Sequence, residues 1–470
     1  MNETKKYIAS LLDKNNFSVT GKNANLFDVF ITEEENVQAV KAIQQIENGI
    51  MENWKIRARV NDILNTHITI PNATVNKPYE APIDLVKTGM NDMVLTQFEN
   101  LEIYGLEYDN NSETIKGTPT QSGDFKINFK FRIEGESEST ELHVKPISLI
   151  INADPKSLWK TIPSIQTGAN YWKPDAAEDF QQLGSKHIVV ASKRGRSHAN
   201  VGSFRDDDYA FKYFENTGWS VVCVADGAGS AALSREGSRL ACQSVIDFFA
   251  ANFTPEALID FDATLLKHHN NLCDETSKAI SLFVYNNLSK AAFKAHTALQ
   301  EFANKLELPL KEFHSTLIFA LFKKYDFGYV VLSFGVGDCP LGLINKELTE
   351  IKLMNWLDVG EFGGGTRFIT MPEIFSSDKF TTRFGFKLVV DFSYLILMTD
   401  GIYDPKFVVE ANLEKIEKWG EFLADLGGHN AEKAAVIFTP DNIEIASQLS
   451  AWMDFWSPGN HDDRTLAIIF

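Results

Sequence analysis

The stretch Val221-Val222-Cys223-Val224-Ala225-Asp226-Gly227-Ala228-Gly229 sets an unbroken apolar run against a carboxylate and two glycines. Such a run reads as a strand buried on both faces, ending in a tight turn that presents an Asp. Two other runs share that build. Residues 330–338, VVLSFGVGD, end in Gly335-Val336-Gly337-Asp338, and residues 394–401, YLILMTDG, end in Met398-Thr399-Asp400-Gly401. Two more sites place paired acids beside strand-like sequence: Arg205-Asp206-Asp207-Asp208-Tyr209, and His461-Asp462-Asp463-Arg464-Thr465 before Leu466-Ala467-Ile468-Ile469.

One Asp-Gly after an apolar strand is ordinarily just a turn. Five such sites in one C-terminal segment point instead to oxygen ligands converging from several strand ends. Carboxylates, carbonyls and water suit Mg²⁺ or Mn²⁺, whereas Zn²⁺ prefers His or Cys. Glycine beside a ligand Asp lets the backbone carbonyl approach an ion with no Cβ in the way. Two ions close together can hold a bridging hydroxide for in-line attack on phosphorus.

The order of these motifs resembles the metal-dependent serine/threonine protein phosphatases of type 2C, in particular their bacterial branch. The matching positions are Asp206-Asp207, Asp226-Gly227-Ala228-Gly229, Ser315-Thr316, Gly337-Asp338, Thr399-Asp400-Gly401 and Asp462-Asp463-Arg464-Thr465. The resemblance implies an α-β-β-α sandwich over residues 185–470 that hydrolyses phosphoserine or phosphothreonine on a protein. It implies that Asp207, Asp226, Asp400 and Asp462 carry the catalysis. Asp226 would bridge two Mn²⁺ or Mg²⁺ ions, with the Gly227 carbonyl and Asp207 on one and Asp400 and Asp462 on the other. Asp338 matches the position of a third, weaker metal in some members, and Asp206 and Asp463 would orient water and ligands. Residues 361–366, Glu361-Phe362-Gly363-Gly364-Gly365-Thr366, resemble the family's mobile flap.

The chain departs from the family pattern in two places. Where many members carry a His after the Asp-Gly, this chain has Ala228, leaving His198 as a candidate proton donor. The family's phosphate-gripping Arg has three candidates, Arg194, Arg196 and Arg205, and we carry forward Arg196 and Arg205 with His198 as substrate-binding. Arg suits that role because its planar fork holds two phosphate oxygens. His268, His269, His314 and the four cysteines show no ligand or nucleophile spacing and read as structure.

Ahead of this segment the period changes twice. Phe125, Ile127, Phe129, Phe131 and Ile133 alternate with Lys126, Asn128, Lys130 and Arg132, as in a strand with one wet face. With the turn-rich residues 105–123, residues 76–150 resemble the Ig-like β-sandwich modules of bacterial multidomain proteins. Residues 174–186, PDAAEDFQQLGSK, read as a linker. In residues 1–70, Val37, Val40, Ile43, Ile46, Ile50 and Trp54 form one face of a helix entered through acidic residues 33–35. FSVT (17–20) and LFDVFI (26–31) read as short strands, which makes residues 1–70 a small α+β unit.

The 470 residues allow two or three domains, and 44 % hydrophobic with 23 % charged residues is a globular composition. A net charge of −18 argues against a nucleic-acid binder, which wants a basic face. With no long apolar span and no signal-like N-terminus, the chain is expected in the cytoplasm, in bacterial signalling opposite a Ser/Thr kinase. Residues 1–150 are the expected interaction surface. The competing readings are a non-catalytic phosphoprotein-binding module and a hydrolase of small phosphate esters or nucleotides.

Overall fold

The computed structural model describes residues 2–83, 85, 87–165, 170–358 and 365–470. It divides into two compact units, residues 1–158 and 159–470.

The first unit opens with α1 (Asn2–Lys14), α2 (Ala24–Phe30) and α3 (Glu34–Asn65). Seven strands follow: β1 (Ala73–Thr74), β2 (Tyr79–Pro82), β3 (Met93–Glu99), β4 (Leu106–Asp109), β5 (Thr114–Gly117), β6 (Gly123–Ile133) and β7 (His143–Asn152). The unit closes on the short α4 (Pro155–Leu158). Strands β1-β7-β6-β3 form one sheet and β2-β5-β4 a second. Ile127, Phe129, Phe131 and Ile133 of β6 bury their alternate side as expected, in a core shared with Ile115 of the second sheet and with Val60 and Ile63 of α3. Residues 2–70 contain no strand, which corrects the α+β expectation. LFDVFI carries its apolar residues four apart as well as in sequence, so Phe27 and Ile31 share a helical face. They pack with Ile8 of α1 and Val40 of α3. The acidic entry to α3 is real, with Glu34 and Glu35 in its first turn.

The second unit begins with β8 (Ala176–Leu183), β9 (Lys186–Lys193), α5 (Arg196–Val201), β10 (Asp208–Phe214) and β11 (Trp219–Ala225). Three long helices follow: α6 (Ser234–Asn252), α7 (Pro255–Asn270) and α8 (Asp274–Lys305). Then come β12 (Leu317–Tyr325), β13 (Gly328–Val336), β14 (Leu341–Asn345), β15 (Ile351–Leu353), α9 (Glu373–Ser376), β16 (Phe384–Val389) and β17 (Phe392–Met398). The chain ends through α10 (Asp400–Phe407), α11 (Ile416–Leu426), α12 (Ile445–Trp452) and β18 (Arg464–Ile469). The stretch read as a linker is mostly β8, paired along its length with β9 from Ala176↔Lys193 to Leu183↔Lys186. It is an edge strand, largely solvent-exposed, so it keeps the polar composition of a linker.

Two antiparallel sheets, β10-β11-β12-β13-β16 and β15-β14-β17-β18-β9-β8, face each other. Alternation along β11 shows the layering. Val222 and Val224 meet Val190, Leu397 and Ala467 of the opposite sheet, whereas Val221, Cys223 and Ala225 turn outward onto α6–α8. Helices α10, α11 and α12 cover the other sheet through Phe407, Trp419, Phe422 and Trp452. The result is four layers, α-β-β-α. Register then gathers the acids: Asp208↔Ala225, Leu317↔Val336, Met398↔Leu466 and Lys193↔Arg464 put the ends beside Asp207, Asp226, Asp338, Asp400 and Asp462 on one rim. Among the described residues no helix is long and apolar enough to cross a membrane.

Candidate active site

Asp226 lies at the centre of the rim. Burial pushes its carboxyl well above the ordinary value, and the charges of Asp400, Asp207, Asp462 and Asp338 add to the shift. Its backbone is pinned by Thr316, whose Oγ1 accepts the Asp226 N–H at 2.9 Å and whose N–H donates to the Asp226 carbonyl at 2.8 Å. The next residue has to be glycine, because a Cβ on Gly227 would run into the Asp206 backbone.

Asp207 is 1 % exposed. Its Oδ2 accepts from Thr399 Oγ1 at 2.9 Å and Thr465 Oγ1 at 2.8 Å, which ties it to the ends of β17 and β18. Burial, then the charges of Asp463 and Asp462, raise it well above the usual range in spite of those hydrogen bonds. Burial and Asp462 lift Asp400 to about 7. Asp338 is raised chiefly by burial and takes a hydrogen bond from Thr366 Oγ1 at 2.7 Å. Of the flap-like stretch, residues 361–364 lie outside the described residues, and Thr366 contributes this contact. Asp462 stands at the mouth with an open outer side; burial of the rest, then Asp463, still raises it.

Asp463 plays a different part. It accepts the Gly195 N–H and His198 Nδ1 (3.0 Å) on one oxygen and the Asp206 N–H on the other, clamping three segments together. Burial alone would raise it, but those donors bring it below the ordinary carboxylate value. Burial opposes charge on His198, yet Asp463, Asp206 and Asp462 carry it up to about 9. Its Nε2 lies 3.7 Å from Asp206 Oδ2 and close to Gly229. Burial and Asp463 raise Asp206 to about 6.

The arginines separate on geometry. Arg205 is a correction to the expected phosphate grip: it is 3 % exposed and donates to Ser192 Oγ, to the Asp207 carbonyl (3.1 Å) and to the Pro174 carbonyl (3.3 Å). It braces the loop behind the acids. Arg194 is likewise held by Asp175 (3.0 Å) and by the carbonyls of Ser203 and Ile162. Arg196 keeps more freedom, resting 5.2 Å over Trp456 with one hydrogen bond to the Asp454 carbonyl and its Nε unpaired. Sequence reading missed Lys173, a buried cation bonded to the Asp207 carbonyl (2.7 Å) and Asp208 Oδ2 (3.0 Å). It lies in the irregular stretch ahead of β8, where no pattern marks it.

Carboxylates that raise one another inside a protein need counter-charge, and Asp400 Oδ1 is a buried oxygen with no partner. These oxygen donors fit a hard divalent cation. The only trio among the described residues with donor atoms all within 4.8 Å is His198, Asp462 and Asp463, at the mouth. Gly401 underpins the same rim, because a Cβ there would collide with the Asp463 carbonyl. Gly401→Ala is therefore expected to weaken Mn²⁺ binding, measured by calorimetry, by roughly tenfold or more through displaced ligands. Gly420→Ala, which meets open space, is the control and should leave Mn²⁺ affinity unchanged.

Comparison with known proteins follows this geometry. The family model described as protein phosphatase 2C matches residues 194–453. Among solved structures, the serine/threonine phosphatase Stp1 from Staphylococcus aureus is 15 % identical, with 62 % of this chain and 96 % of that one covered at a TM-score of 0.35. RsbX in complex with magnesium is 13 % identical, covering 62 % and 98 % at 0.32. A sex-determining protein of C. elegans is 13 % identical, covering 62 % and 66 % at 0.38. No curated protein matches the chain. The match of the family model spans more than half of the sequence, and the chain belongs to the protein phosphatase 2C family.

Proposed function

We propose that this chain hydrolyses phosphoserine and phosphothreonine on a protein substrate, with Mn²⁺ or Mg²⁺ held by Asp207, Asp226, the Gly227 carbonyl, Asp400 and Asp462, and Asp338 serving a weaker third site. The observation that carries this reading is the crowding at Asp226, where burial and four carboxylate neighbours all oppose its charge. Two bound cations would neutralise phosphoryl charge and activate a water for attack.

The chain's own residues do the positioning. Thr399 and Thr465 orient Asp207, Thr316 holds the turn at Asp226, and Asp463 locks the loops of Gly195 and Asp206 to the end of β18. His198, fixed through Nδ1, turns Nε2 toward the Gly229 turn and is our candidate proton donor to the leaving alkoxide. Arg196 is the candidate phosphate grip, its Nε still unpaired. Its loss in Arg196→Ala should raise KM for a phosphopeptide about tenfold, equivalent to ~1.4 kcal/mol, with a smaller change in kcat. Four free cysteines suit a reducing, cytoplasmic setting, and a protein kinase must supply the phosphorylated substrate.

The deciding experiment is turnover of p-nitrophenyl phosphate, a phosphopeptide and a nucleotide with Mn²⁺, Mg²⁺, Zn²⁺ or EDTA. The proposal expects turnover with Mn²⁺ or Mg²⁺, none with EDTA, and preference for the phosphopeptide. Preference for the nucleotide would make it a small-ester hydrolase. Neither turnover nor calorimetric Mn²⁺ binding would return it to a binding module.

A further inference from the structure

The apolar face that the sequence predicts on α3 is not used to build the chain's own core. The helix is anchored at its ends, by Val40 to Ile8, Phe27 and Ile31, and by Val60 and Ile63 to the core of the β-sheets. Between those anchors Ile46 is 65 %, Ile50 63 % and Trp54 67 % exposed, with Ile43 and Met51 also open. Ile43, Ile46, Ile50 and Trp54 recur at three- and four-residue steps, so they form one continuous stripe along three turns. An exposed stripe of this size on a helix marks an interaction surface.

Its charges identify the occupant. On the stripe face Glu47 lies toward the N-terminal half and Arg57 toward the C-terminal end, both exposed. A parallel second copy would set Glu47 against Glu47 and Arg57 against Arg57. An antiparallel copy, with its two-fold axis at Ile50, sets Ile46 against Trp54 and brings Arg57 of each helix beside Glu47 of the other. Gly49 flanks the stripe, and a Cβ there would meet nothing in this chain. Its cost of about 1 kcal/mol within a helix has no explanation in the chain's own packing, whereas close approach of a second helix gives it one. We propose that the chain self-associates through the middle of α3 as an antiparallel, two-fold-symmetric helix pair. Three turns of stripe lie at the small end of specific interfaces, so the dimer should be concentration-dependent.

Sedimentation velocity of the full chain over a concentration series tests this. The mass should climb from 52.8 kDa toward twice that value, and Ile50→Glu should keep it at 52.8 kDa with unchanged melting temperature. Pair geometry is read by oxidation in a Cys273→Ser background. A mixture of Ile46→Cys and Trp54→Cys chains should form an inter-chain disulfide several-fold faster than either variant alone. A wild-type monomer at every concentration, or a dimer indifferent to Ile50→Glu, overturns the proposal. Cross-linking by Ile46→Cys alone as fast as by the mixture overturns the antiparallel arrangement.

Discussion

Asp226→Asn is expected to lose p-nitrophenyl phosphate turnover by about 10³-fold or more while its metal-free form becomes more heat-stable than the wild type. Both effects share a cause. The Asp226 carboxylate is buried among Asp400, Asp207, Asp462 and Asp338, so its charge is unfavourable until a cation offsets it. Asparagine keeps the shape and removes the charge, and relief of such functional strain is worth about 0.5–2 kcal/mol per site. The pH dependence has a definite sign. A carboxyl raised in the folded state holds its proton there longer than in the unfolded chain, so stability falls as pH rises from the unfolded value through the folded one. Asp206 at about 6 and Asp400 at about 7 place that fall between about pH 4 and 7. The melting temperature of EDTA-treated wild type should therefore drop from pH 5 to pH 8 and recover at pH 8 when Mn²⁺ is added. Asp226→Asn should show a shallower drop. A melting temperature that rises over that range would refute an uncompensated carboxylate cluster.

Arg383→Ala should be the most destabilising single change in the second unit, at about 3–5 kcal/mol, or roughly 10 °C in melting temperature. Arg383 is 3 % exposed and grips Asp358 through two bonds of 2.6 and 2.8 Å, with a third from Arg383 to the Gly335 carbonyl. Asp358 in turn accepts the Gly337 N–H at 2.8 Å, so the pair supports the turn that presents Asp338. Removing the arginine leaves a buried carboxylate without its partner, and that penalty dominates. The double variant Arg383→Met with Asp358→Leu removes both charges and should recover much of the lost stability, although the Gly337 N–H then lacks an acceptor. Equal melting of the single and double variants would show that the cost comes from lost packing instead.

How far the site could be read from sequence differed by residue. Asp226, Asp338 and Asp400 follow apolar runs long enough to be strands buried on both faces, and strand ends in one sheet meet by register. Asp207 and Asp462 stood out because acid pairs beside strands are uncommon. Arg205 could not be assigned: its neighbours in sequence are acids, but its guanidinium points away from them into Ser192 and Pro174. Lys173 was invisible, since a buried lysine in an irregular stretch has no periodic signature. The strand β8 was hidden for the converse reason, as an exposed edge strand carries the polar composition of a loop.

By itself, the sequence determined the sites where strands end in carboxylates, their order along the chain, and the helix faces of α3 and α8, because local periodicity and turn chemistry act over a few residues. Tertiary structure alone decided which acids share counter-charge and which arginine stays free of the protein's own carbonyls. It also decided whether LFDVFI became helix or strand, and that the middle of α3 stayed uncovered. Those outcomes depend on groups brought together from far apart in the chain, such as Asp207 with Thr465 and Phe27 with Val40, and no short window of sequence contains both members of either pair.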